Sequence, residues 1–103
     1  MANVYISEYA RLGRDSLNNA TSSPEEPATV VDVIANPTTS QQSAAFNKTT
    51  TIVEIHADAA IHFEFGADPT AATATSRRMA ADVTRFFAVK AGSDLKVAVI
   101  NAA

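Results

Sequence analysis

The chain has 103 residues, enough for one compact domain that buries about 65% of its unfolded surface and little more. Eight Lys and Arg against eleven Asp and Glu give a net charge of -3, the wrong sign for a protein that gains affinity by releasing counterions from phosphate, so nucleic acid is not an expected partner. The absence of cysteine excludes disulfide and thiolate chemistry. It leaves packing, backbone hydrogen bonds and association with other chains to stabilise the fold.

Val, Ile and Thr number 26 against three Leu. Branched side chains pack well on pleated surfaces and lose rotamer freedom in helices, so this ratio predicts an all-β domain. The expected architecture is a single small antiparallel β-sandwich or jelly-roll-like barrel with an extended N-terminal arm. The division is an N-terminal strand and arm over residues 1–28 and a sandwich domain over residues 29–103. No apolar run approaches the roughly 20 residues that span a bilayer, and residues 1–14 lack a signal-peptide stretch, so synthesis in the cytoplasm without a membrane partner is expected.

In chain order, Val4 to Tyr9 predicts a first strand. Arg11 to Pro27 collects Gly, Asn, Ser, Thr and two Pro, which predicts a loop or arm ordered by contact, with a helix around Tyr9, Leu12 and Ser16 as the competing reading. All of the excess negative charge lies in residues 1–36. Thr29 to Ile34 reads as a strand ended by Asn36-Pro37, and Gln42 to Phe46, Thr50 to Ala57 and Ile61 to Phe65 follow. Thr70 to Ala81 predicts an extended edge with a turn near Ala81-Asp82. Arg85 to Lys90 and Leu95 to Ile100 close the chain around the turn sequence Ala91-Gly92-Ser93-Asp94.

Val53, Ile55 and Ala57 alternate with Glu54 and His56, and Ile61, Phe63 and Phe65 alternate with His62 and Glu64. Paired as a hairpin through a three-residue loop, Asp58 to Ala60, these strands set His56 opposite His62 and Glu54 opposite Glu64 on one exposed patch. Such a patch has the chemistry to ligate zinc. It also reads as a plain polar outer face, or as an interface whose histidines charge in mildly acidic solution. The expectation is no metal and no cofactor, with His56, His62, Glu54 and Glu64 the residues that would supply ligands.

No G-x-S-x-G elbow, H-E-x-x-H pair or glycine-rich phosphate loop occurs in the sequence. Glu54 and Glu64 could form an acid and base pair only in a pocket, and the pattern puts them on an open face. No catalytic residue is expected, and the protein reads as non-enzymatic. Arg77-Arg78 is the basic doublet, a solvated pair or a fork for carboxylates on a neighbouring subunit. Phe86-Phe87 places adjacent rings on opposite strand faces, so one ring needs cover outside the core unless the strand lies between two apolar layers.

The runs Ser43 to Thr50, Ile52-Val53, Ala57-Asp58, Ile61 to Ala71 and Phe87 to Ile100 resemble small structural proteins of tailed bacteriophages. The opening Met1 to Tyr9 is similar to their starts. The motifs are a Phe-Gly-x-x-Pro-Thr-Ala turn and a Phe-x-Val-x-x-Gly-x-x-Leu-x-Val ending, while Arg11 to Pro27 matches neither. The resemblance implies a β-sandwich virion component with no catalytic residues, a capsid decoration or cement protein on the capsid surface that acts as a homo-oligomer, a trimer favoured, and binds the major capsid protein or other virion proteins. A head-to-tail connector, collar or tail component is the rival within the virion, and a carbohydrate-binding sandwich the rival outside it. The interface residues expected are Val4, Tyr5, Ile6, Tyr9, Arg77, Arg78 and Phe86, with the arm over residues 1–28 reaching a neighbour.

Overall fold

The computed structural model describes residues 3–102. Ten strands run β1 (Asn3–Tyr9), β2 (Leu12–Arg14), β3 (Ala20–Pro24), β4 (Val30–Ala35), β5 (Gln41–Gln42), β6 (Ile52–Ala57), β7 (Ile61–Gly66), β8 (Arg77–Met79), β9 (Val83–Ala88) and β10 (Lys96–Asn101). No helix occurs among the described residues, and so none is long and apolar enough to cross a membrane.

Two four-stranded antiparallel sheets, ordered β4-β1-β6-β9 and β5-β10-β7-β8, enclose one core, and β2 and β3 form a separate hairpin. From β4 onward the chain passes repeatedly between the sheets. Strand alternation explains the core: Val4 and Ile6 of β1, Ile34 of β4 and Val53, Ile55 and Ala57 of β6 point inward from one sheet. Ile61 and Phe63 of β7, Met79 of β8 and Val97 and Val99 of β10 meet them from the other. Phe63 and Phe87 touch across the gap, their rings 5.3 Å apart.

The expected sandwich is present, but the β6–β7 hairpin is not. β6 pairs with β1 and β9, and β7 with β10 and β8. The loop at 58–60 crosses from one sheet to the other instead of turning back beside its own strand. Alternation is satisfied either way, because both strands still turn their apolar faces to the same core.

β1 is a central strand of its sheet, flanked by β4 and β6, so Asn3–Tyr9 belong to the sandwich. β2 and β3 pair only with each other, outside both four-stranded sheets, and the molecule has extents of 47 × 26 × 20 Å. The stretch read as a contact-ordered loop has its own bonds: Asp15 Oδ1 accepts the amides of Leu17 and Asn19, both at 2.9 Å, and Asn18 takes the left-handed conformation at the tip. The strand expected over Gln42 to Phe46 shortens to β5, after which the Ser43 and Phe46 amides donate to Val97 and Leu95 carbonyls.

The sheet edges carry a common device. Asp32 on β4, Arg85 on β9 and Arg77 on β8 each occupy inward register positions, opposite Ile6, Ile55 and Phe63 respectively. A charge pointing inward on an edge strand obstructs the docking of a further strand.

Candidate interaction surface

The outer face of the β4-β1-β6-β9 sheet is built from two cross-strand rows. Register places Val33, Tyr5, His56 and Thr84 in one, and Val31, Ser7, Glu54 and Phe86 in the next. Four members are large and exposed: Val31 at 66%, Phe86 at 53%, Val33 at 48% and Tyr5 at 38%. Leaving branched and aromatic surface in water on β4, β1 and β9 is unfavourable, which makes this face a candidate contact surface.

The hairpin borders this face. Between it and β6–β9 lies an open groove of about 740 Å³, walled by Leu12 and Pro24 on one side and Ile52, Phe86, Ala88 and Val89 on the other. Arg11 and Arg14 also line it, and Arg11 is held by Glu25 at 3.1 Å. Leu17, at the hairpin tip, is 80% exposed.

Of the residues expected at an interface, Tyr5 and Phe86 lie on this face. Val4 and Ile6 do not: alternation turns them into the core, where they are fully buried. Tyr9 is outward in register but is buried beneath the base of the hairpin, its hydroxyl donating to Glu26 Oε2 at 3.2 Å. Burial, followed by the nearby Glu54 and Glu26 carboxylates, raises its phenol above the ordinary value of 10. Arg78 is exposed on the outer side of the opposite sheet, in register with His62. Arg77 stacks its guanidinium over Phe63, Phe65 and Phe87 at 4.8, 5.9 and 5.6 Å from the ring centres, covering the open side of the sandwich.

The four residues expected to form one metal-capable patch are split between the two sheets. His62 and Glu64 face outward from β7, tied together through Ser76: His62 Nδ1 donates to its carbonyl at 3.0 Å, and its hydroxyl donates to Glu64 Oε1 at 3.0 Å. His56 and Glu54 face outward from β6, and His56 has acquired other neighbours. Its Nδ1 lies 2.9 Å from the Thr84 hydroxyl, and its Nε2 lies 3.8 Å from Asp58 and 3.9 Å from Asp82.

Val31, Val33, Asp58 and Asp82 are not among the residues expected from the sequence at a site. The two valines had a local signal, since Thr29 to Ile34 is apolar at positions of both parities. The aspartates had none, because 24 residues and a passage between sheets separate them. Comparison of the chain with protein-family models, curated proteins and solved structures finds no match.

Proposed function

We propose that the protein is a non-enzymatic virion subunit of a tailed bacteriophage, a capsid decoration protein that stabilises the head shell by docking on the major capsid protein and on copies of itself. The observation that carries this reading is the double row of exposed Val31, Val33, Tyr5 and Phe86 on a regular sheet face. A regular sheet face that mixes these four side chains with Ser7, Glu54, His56 and Thr84 suits contact with another broad surface, and the inward charges on three of the edge strands favour face-on contact over strand addition. The resemblance of the Phe65-Gly66-Ala67-Asp68-Pro69-Thr70-Ala71 turn and the Phe87 to Val97 ending to phage structural proteins supports the same reading.

The mechanism is mechanical. A stable protein interface buries on the order of 1,200–2,000 Å² in total, and one subunit meeting two neighbours distributes that area over its sheet face and its hairpin. Many such subunits, each bound modestly, resist expansion of the shell by avidity.

The test is native mass of the purified chain, followed by its copy number in purified particles. A closed trimer present at shell stoichiometry is expected. A solitary monomer that never accompanies particles overturns the reading, and a larger ring present in connector stoichiometry replaces decoration by a connector role. Val33→Thr and Phe86→Thr are expected to lower oligomer affinity while leaving the circular dichroism spectrum unchanged.

A further inference from the structure

We propose that His56, Asp58 and Asp82 form a binding site for a borderline transition-metal dication, represented by Zn²⁺. This inference is independent of the virion reading. The three donors come from separate parts of the fold: His56 from the body of β6, Asp58 from the β6–β7 connection and Asp82 from the β8–β9 turn. One ligand atom from each lies within 4.8 Å of the others.

The distances favour an ion between the groups over direct contact. At 3.8 and 3.9 Å, the imidazole Nε2 is too far from either carboxylate for a hydrogen bond. Donors that share one zinc at 2.0–2.2 Å stand about 3.4 Å apart in a tetrahedral shell. The two imidazole-to-carboxylate distances need to close by about 0.5 Å, and separations of up to 4.8 Å within the trio by as much as about 1.4 Å, to bring the donors onto a common centre, with water completing the coordination.

The imidazole is already oriented for the task. Its Nδ1 is engaged by the Thr84 hydroxyl at 2.9 Å, the arrangement in which a ligating histidine donates its second ring proton and presents the opposite nitrogen to the metal. Both aspartates are anchored through their backbones, Asp58 N–H donating to the Asn3 carbonyl at 3.1 Å and Asp82 N–H to the Ala57 carbonyl at 2.8 Å. Asp82 takes a left-handed φ of 58° in the β8–β9 turn, and its carboxylate lies 3.9 Å from His56 Nε2. Among the described residues neither carboxylate is paired with a Lys or Arg, so two negative charges stand free to balance a dication.

The donor set points to the class of ion. One imidazole with two carboxylates suits Zn²⁺ or a neighbouring first-row dication, whereas Mg²⁺ and Ca²⁺ prefer oxygen ligands alone. The position defines a consequence. The β6–β7 and β8–β9 connections both pass between the two sheets, so an ion held here joins two crossovers at one end of the sandwich.

The test is titration of the metal-free full chain with ZnCl₂ by calorimetry, with elemental analysis after dialysis. One zinc per chain and a raised unfolding temperature are expected. His56→Ala and Asp82→Asn should each weaken binding at least tenfold, and Thr84→Val several-fold. His62→Ala, whose ring is committed to the opposite sheet, should leave binding unchanged, and MgCl₂ should produce no heat. The exposed Asp82→Asn variant keeps the test valid even where His56→Ala disturbs the strand. Absence of zinc uptake at millimolar metal, or uptake that survives both His56→Ala and Asp82→Asn, overturns the proposal.

Discussion

Inside the sandwich the hydroxyl of Thr50 donates to Glu8 Oε1 at 2.7 Å, and the same oxygen accepts the Asn47 amide at 2.8 Å. Glu8 is only 3% exposed and occupies the inward position of β1 opposite Val53, where a hydrophobic residue would continue the series of Val4 and Ile6. Its backbone carbonyl also accepts from Thr29, so one residue ties the 47–50 turn and the start of β4 to the central strand. Removing either side-chain partner leaves a buried polar group without its bond, which costs about 1–3 kcal/mol. Thr50→Val and Glu8→Ala are both expected to lower stability by that order in denaturant titrations. The double variant should lose less than the sum, because the two substitutions remove one shared interaction.

The contrast between Glu8 and its neighbours shows what could be read from the chain. Alternation identified the inward sets Val53, Ile55, Ala57 and Ile61, Phe63, because the face a residue occupies is a local property with a period of two. It could not choose a partner strand, so β6 and β7 read as a hairpin although they sit in different sheets. Glu8 shares the inward parity of Val4 and Ile6, but its burial is accounted for only by its bonds to Asn47 and Thr50, about forty residues on. Asp58 and Asp82 likewise approach His56 only once the crossovers are in place. The exposed rows carried a local signal, since Phe86 stands beside Phe87 and Val31 and Val33 beside Val30 and Ile34, but adjacency alone does not say which of two apolar neighbours is left uncovered.

Arg77 behaves as a core lid. Its guanidinium lies over three phenylalanine rings, and Arg85 approaches Phe87 from the other sheet at 5.3 Å. A cation over aromatic faces at an exposed site contributes about 0.5–1 kcal/mol, with additional loss from the stem that shields the rings. Arg77→Ala is expected to destabilise by about 1 kcal/mol, and Arg77→Lys by less. Arg78→Ala, one residue on and facing the opposite way, should fall within about 0.5 kcal/mol of the wild type in the same unfolding experiment. Equal effects at the two positions would remove the stacking account.

Tyr9 makes the fold sensitive to alkali. Its phenol is raised by burial first and by Glu54 and Glu26 next, so the folded chain holds this proton more tightly than the unfolded chain. The stabilisation that follows is fully present below the ordinary tyrosine value and is lost as pH rises through the higher value of the folded state. Unfolding temperatures should therefore decline above about pH 10 more steeply in the wild type than in Tyr9→Phe. Subtracting the phenolate absorbance titration of Tyr9→Phe from that of the wild type isolates this group. A Tyr9 midpoint at or below the ordinary value would refute the burial argument.

The hairpin can be separated from the sandwich where a cut at residue 28 cannot. Removing residues 1–28 would take β1 from between β4 and β6 and with it Val4, Ile6 and Glu8, so that chain is expected not to fold. The hairpin enters and leaves at a single point: the Glu25 amide donates to the Arg11 carbonyl at 2.9 Å, and their side chains pair at 3.1 Å. Residues 12–24 can accordingly be replaced by Asn-Gly, a pair that closes an antiparallel crossing with little strain. β2 and β3 pair only with each other, so the shortened chain should retain its strand content and a cooperative unfolding transition. It loses the wall of the groove formed by Leu12 and Pro24 and the exposed Leu17 tip, and under the proposed self-association its native mass should shift toward the monomer. An unchanged oligomer would place the self-contact wholly on the Val31, Val33, Tyr5 and Phe86 face, whereas a chain that no longer folds would mean that the hairpin secures Tyr9 and the end of β1 more strongly than its pairing indicates.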